Sequence, residues 1–132
     1  MGKNGLSLEE IEGVSWGAVP ADATGLVETV YRLRRKPLDT LQPGDLRVLL
    51  GQQEGLAVLV PRALALLEGN PLLEGDYYPG DVLVAVLRLP GAYWSANPGQ
   101  REAVERILAG LDGGGAVKDG VEAFRRATSG MC

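Results

Sequence analysis

The residues best suited to chemistry crowd into one short segment, Glu74-Gly75-Asp76-Tyr77-Tyr78-Pro79-Gly80-Asp81, where acids flank a pair of phenols. Two carboxylates close together can act as a catalytic pair when their surroundings set their pKa values apart. The same residues fit a structural turn whose acids cap the following helix and whose tyrosines cover its flank, and this reading outweighs the catalytic one because structural acids also gather at helix starts. They also fit a protein-binding surface, since tyrosines and rim charges suit interfaces.

The chain contains no histidine. The usual general base near neutral pH, the triads that rely on it and the commonest metal ligand are therefore missing. The single cysteine, Cys132, is the last residue, so neither an intrachain disulfide nor a cysteine zinc cluster can form, and a reducing cytoplasm is compatible. Gly110 to Lys118 is rich in glycine but follows a helix and lacks the Gly-Lys-Ser/Thr ending of a phosphate loop, so it reads as a flexible helix connection. The basic run Arg32 to Lys36 reads as a solvated helix end, not a nucleic-acid site. No catalytic residue, metal site or cofactor is assigned.

Elements that could position the acidic segment are visible in the spacing. Ser7-Leu8-Glu9-Glu10 has the form of a capping box, predicting a short helix that stops at Gly13, and Trp16 to Asp22 reads as a loop. Leu26, Val27, Val30, Tyr31 and Leu33 fall on one face of a second helix, with Glu28 four residues ahead of Arg32. Pro43, Asp45, Leu46, Leu49 and Leu50 describe a third helix ending near Gly51. Leu56, Leu59, Val60, Ala63, Leu64 and Leu67 form the strongest helical stripe, and they are expected to serve the core. Pro61 lies within that stripe, which places the helix start about one turn before it, where the missing N–H is harmless. Gly69, Asn70 and Pro71 stop this helix.

Val82 to Leu89 fits a buried strand or a buried helix. Pro79-Gly80-Asp81-Val82 repeats the start Pro43-Gly44-Asp45-Leu46, with proline at the first helical position, and this tips the reading to helix. Asn97-Pro98 opens another capped amphipathic helix through Leu111, and a last one from about Asp119 to Ala127 points Val121 and Phe124 inward, with Ser129 to Cys132 fraying. The expected fold is all-α, one domain over residues 1–132 with about six or seven short helices and a flexible end over 113–132. The alternative is α+β with Val82–Leu89 as a strand.

Lys and Arg number 13 against 17 Asp and Glu, a net charge of -4 that disfavours nucleic acid as a partner and would steer a basic protein toward the chain. The longest fully apolar run, Val82 to Leu87, is far too short to cross a bilayer, and the start lacks a signal-peptide pattern. A soluble protein without a membrane partner is expected.

Several ordered motifs carry a resemblance: Arg35-Lys36-Pro37-Leu38, Asp45-Leu46-Arg47, Gly51-Gln52-Gln53, Gly55-Leu56, Val60-Pro61, Asn70-Pro71-Leu72 and the whole of Glu74 to Asp81 with the apolar run behind it. Between about Val30 and Pro90 the chain resembles immunity proteins of contact-dependent growth inhibition (CDI) systems. Ser7 to Glu12 and Trp16-Gly17 are similar to that family's start, whereas the glycine-rich stretch after residue 110 departs from it. The resemblance implies a cytoplasmic, non-enzymatic protein that binds the toxic C-terminal domain of a large delivered toxin, often a nuclease. Glu74, Asp76, Tyr77, Tyr78 and Asp81 are the candidate toxin contacts. Motifs shared among proteins that answer different toxins should mostly maintain the fold, so the acidic turn also keeps its structural reading. The competing functions are a structural or regulatory interaction module and, less favoured, a carboxylate-dependent enzyme.

Overall fold

The computed structural model describes residues 5–111 and 115–129. Its described residues form eight α-helices and no strand: α1 (Leu8–Glu12), α2 (Gly25–Arg34), α3 (Pro43–Gly51), α4 (Leu56–Gly69), α5 (Asp81–Leu87), α6 (Gly91–Ala96), α7 (Pro98–Ala109) and α8 (Gly115–Thr128). A 3-10 turn at Leu38–Thr40 joins α2 to α3. The all-α expectation holds with more helices than anticipated, because α6 carries no clear periodic signal in its six residues. Among the described residues no helix is long and apolar enough to cross a membrane.

Helix α5 is the centre of the domain. Asp81, Val82, Leu83, Val84, Val86 and Leu87 are all buried, and the helix packs against α3, α4 and α8. A helix apolar on every side is stable only when surrounded. This explains why Val82–Leu87 could not be told from a buried strand by alternation. The segment is a helix as expected, but not because its start repeats that of α3: Pro43 and Gly44 lie inside α3, whereas Gly80 is the N-cap of α5 and Pro79 bridges back to Glu74. The two Pro-Gly-Asp starts are thus not equivalent. Gly80 has φ +94°, and a Cβ there would lie 2.7 Å from Val117, so glycine is required both by the backbone and by the packing of α8.

The α4 stripe does face the core, with Leu59, Val60, Ala63, Leu64 and Leu67 buried and Leu56 half-buried. Pro61 sits deeper in the helix than expected, five residues after Leu56, so its missing N–H leaves the Ala57 carbonyl without its helical bond. Pro61 is exposed, and solvent on that side lowers the cost.

Helix α2 departs from its apolar pattern. Val30, Leu33 and Arg34 are its buried residues, while Leu26 and Val27 are exposed. The basic end is solvated only in part: Arg32 and Arg35 are exposed, whereas Arg34 is buried. Arg34 is 2% exposed and pairs with Glu12 at 2.8 Å and Glu54 at 3.2 Å, with its guanidinium 4.4 Å above the Trp16 ring. Arg35 pairs with Glu9 and donates to the Gly17 carbonyl, and Lys36 reaches Asp45 at 2.9 Å. These cations tie α2 to α1, to the Trp16 loop and to α3.

The C-terminal half closes on Trp94, which is fully buried and meets Phe124 edge-on at 5.4 Å. Asn97 stands at the N-cap of α7 as its sequence indicates, but its side chain makes no capping bond there and instead closes α6, its amide donating to the Tyr93 carbonyl at 2.8 Å. Helix α8 begins at Gly115, earlier than the expected Asp119, so Gly115 to Lys118 belongs to a helix packed on α5 and α6, not to a connection. The glycines at 113–114 lie outside the described residues, as do residues 130–132 of the segment Ser129 to Cys132 for which fraying is expected.

Two stability measurements check this packing. Leu64→Ala should cost about 2 to 5 kcal/mol, the range for truncating a buried leucine, and an unchanged denaturant midpoint would remove Leu64 from the core. Arg34→Ala should cost about 2 to 3 kcal/mol, below a fully buried pair because Glu12 and Glu54 can rehydrate. A cost near zero for Arg34→Ala would mean that its ion pairs do not hold α2 in place.

Candidate functional site

The segment from Leu72 to Gly80 must reverse direction between α4 and α5, and it does so around a buried carboxylate. Asp81 is 3% exposed and stands at the first position of α5. Its oxygens accept the backbone N–H groups of Gly75 at 2.5 Å, Asp76 at 3.0 Å and Tyr77 at 3.0 Å. The side chain therefore reaches back to the preceding turn and does not cap its own helix. The turn is closed by a bridge between Glu74 and Pro79 and by the Gly80 N–H donating to the Leu72 carbonyl at 3.1 Å.

Burial alone would raise the Asp81 pKa, but the hydrogen bonds from the Tyr77, Gly75, Asp76 and Tyr78 backbone together outweigh it and hold the carboxyl below its ordinary value. Asp81 is thus an anion at neutral pH. A general acid needs the opposite shift.

Glycines make the turn's close approach to α3 possible. The Gly44 Cα would lie 3.2 Å from a Cβ at Gly75, which would also meet the Asp81 carboxylate at 3.1 Å. A Cβ at Gly44 would overlap the Asp76 carboxylate. The turn is accordingly seated on the first residues of α3.

Arg47 on α3 links the parts. It donates to Asp76 at 3.2 Å, its Nε lies 4.0 Å from the Asp81 carboxylate, and its guanidinium stacks 4.5 Å from the Tyr77 ring. Arg47 stands in the Asp45-Leu46-Arg47 motif, but its role is not legible in the sequence, because its partner Asp76 lies 29 positions away and local spacing shows none of this. Beside it, Tyr77, Tyr78, Asp81 and the exposed Arg88 line an open cleft of about 220 Å³.

The five candidate contacts separate by depth. Glu74, Asp76 and Tyr77 are exposed, Tyr77 to 70%. Tyr78 is half-buried against the core, and Asp81 lies beneath the turn. The acids do not gather into a common site: Asp76 is engaged by Arg47 and Asp81 by the turn backbone. Among the described residues no three His, Cys, Asp or Glu side chains come together as a metal-binding group.

Asp81→Asn should destabilise the protein by about 2 to 3 kcal/mol at neutral pH, because hydrogen bonds to a charged acceptor are worth more than neutral ones and several are weakened at once. The sign of the pH dependence follows from the lowered pKa. The carboxylate's contribution is fully present above the ordinary value of 3.8 and is lost as pH falls below it through the lowered folded-state value. Denaturant midpoints taken between about pH 6 and pH 3 should fall less steeply for Asp81→Asn than for the parent; parallel curves would mean that Asp81 is not the group responsible.

The model of the CDI immunity proteins matches residues 10–104, a span that runs from α1 into α7 and includes α5 and the entire Glu74–Asp81 turn. No curated protein matches the chain. The match covers well over half of the 132 residues and leaves out α8, although α8 buries Val117 and Phe124 in the same core. The chain belongs to the CDI immunity proteins, a family whose role is immunity against a toxin.

Proposed function

We infer that the protein acts in the cytoplasm as a non-enzymatic binding module that neutralises a cognate C-terminal toxin domain, and that this toxin is a nuclease. Carrying the reading is the exposed Glu74, Asp76 and Tyr77 edge, displayed on a turn whose backbone is already held by the Asp81 carboxylate. A contact surface ordered before binding loses less conformational entropy on association. Tyr77, stacked on Arg47, offers a rigid amphipathic face of the kind favoured at interfaces.

Charge supports a nucleic-acid-degrading target. Enzymes that handle nucleic acid present basic surfaces, and a chain of net charge -4 complements them. The lowered pKa of Asp81 and the ion pairing of Asp76 speak against a catalytic carboxylate pair in the turn.

Association kinetics with the C-terminal toxin domain of a CDI system, the cognate one being that which the parent protein neutralises in cells, test the reading. Glu74→Gln with Asp76→Asn should slow association by roughly five- to tenfold at low salt and flatten its salt dependence, with a smaller effect on dissociation. The parent should rescue growth of cells producing that domain. Unchanged kinetics at every ionic strength would remove the acidic edge from the interface, and failure of the parent to bind or rescue would overturn the function itself.

A further inference from the structure

Helix α4 has an outer face that does not match its surroundings. Of its fourteen residues, Leu56–Gly69, only Arg62 and Glu68 are charged, a composition suited to a helix enclosed on all sides. Yet Ala57, Pro61, Ala65 and Leu66 are exposed, Leu66 to 45%. Beside this face runs a groove of about 630 Å³ lined by the apolar Leu41, Pro43, Pro61, Ala65, Leu66 and Leu73, with the half-buried and already engaged Arg62 as its one charged lining residue. Leu72, 39% exposed, adds apolar area beside Leu73.

The groove runs directly into the acidic edge. Leu73 precedes Glu74 in the chain, and Pro43 precedes Gly44, whose Cα faces the turn at Gly75 and whose missing Cβ makes room for Asp76. A trough that is apolar apart from Arg62 therefore adjoins two exposed carboxylates. Asp76 is shared with Arg47, whereas Glu74 makes no ion pair among the described residues.

We propose that this α3–α4 groove is the anchoring half of the toxin interface, taking apolar side chains from a toxin segment that places a lysine or arginine against Glu74 and Asp76. The proposal rests on the immunity reading and names the chemistry of its partner. Charge complementarity selects the occupant: a second copy of this chain would bring its own acidic edge toward the acidic end of the groove, which like charges oppose. The division of labour is physical. Buried apolar contacts at an interface govern how long a complex lasts, and exposed rim charges govern how fast it forms.

Binding of the same toxin domain to Leu66→Asp and Ala65→Asp variants, followed by surface plasmon resonance, tests this. Both positions are exposed, so helicity and thermal midpoint should match the parent. Each variant should dissociate at least tenfold faster with little change in association, unlike the Glu74 and Asp76 variants. A parent that binds the toxin while both groove variants dissociate at the parental rate would overturn the groove and leave immunity standing. A parent that fails to bind the toxin would overturn both. Should size-exclusion chromatography instead show a parent dimer that Leu66→Asp converts to monomer, the occupant is a second copy and the toxin assignment is wrong.

Discussion

Burying the Asp81 carboxylate is the constraint from which much of this structure follows. An anion at the start of the central helix must be compensated, and the backbone N–H groups of residues 75–77 supply the compensation. That arrangement dictates the path of the chain between α4 and α5. It also favours glycine at position 75, where a Cβ would sit tightly at 3.1 Å from the carboxylate and 3.2 Å from the Gly44 Cα of α3, and it draws Arg47 to the same place. A helix surrounded by α3, α4 and α8 therefore has its entry geometry set by one side chain. The negative charge in the first turn also suits the positive end of the helix dipole.

The N-terminal part is held by a different device. Arg34 is buried and compensated by Glu12, Glu54 and the face of Trp16. Neither glutamate is fully buried, so the pair draws strength from a low-dielectric setting without the full desolvation cost of an enclosed one. One arginine thus gathers α1, the Trp16 loop and the segment before α4 around the end of α2. The planar guanidinium can serve two carboxylates and a ring at once, which a lysine ammonium does less well.

For binding, the consequence is a separation of depth within one short segment. Asp81 and the glycines maintain the turn, while Glu74, Asp76 and Tyr77 stand at its surface. Family motifs that persist across different toxins are expected at the first kind of position, and discrimination between toxins at positions free to vary without loss of fold. A rigid turn beside an apolar groove offers both a fast-meeting charged rim and a slowly exchanging anchor.

Helix spacing, capping and the absence of histidine determined much about this protein from sequence alone. The capping box at Ser7 and Glu10 forms, with bonds of 3.2 and 2.9 Å, and α3 spans Pro43–Gly51 as its signals indicate. These features are local: donor and acceptor lie within a turn of each other, so their energy is written in adjacent letters. The family was legible for a similar reason, since its motifs are short and ordered along the chain. Only the tertiary structure decided which side of α2 is buried, that Arg34 is a core residue, and that Asp81 serves the turn behind it and not the helix ahead. Arg47 joins Asp76 across 29 positions and Arg34 joins Glu12 across 22. Electrostatic compensation of this kind depends on distance in space, and sequence spacing carries that information only within a helix turn or a hairpin.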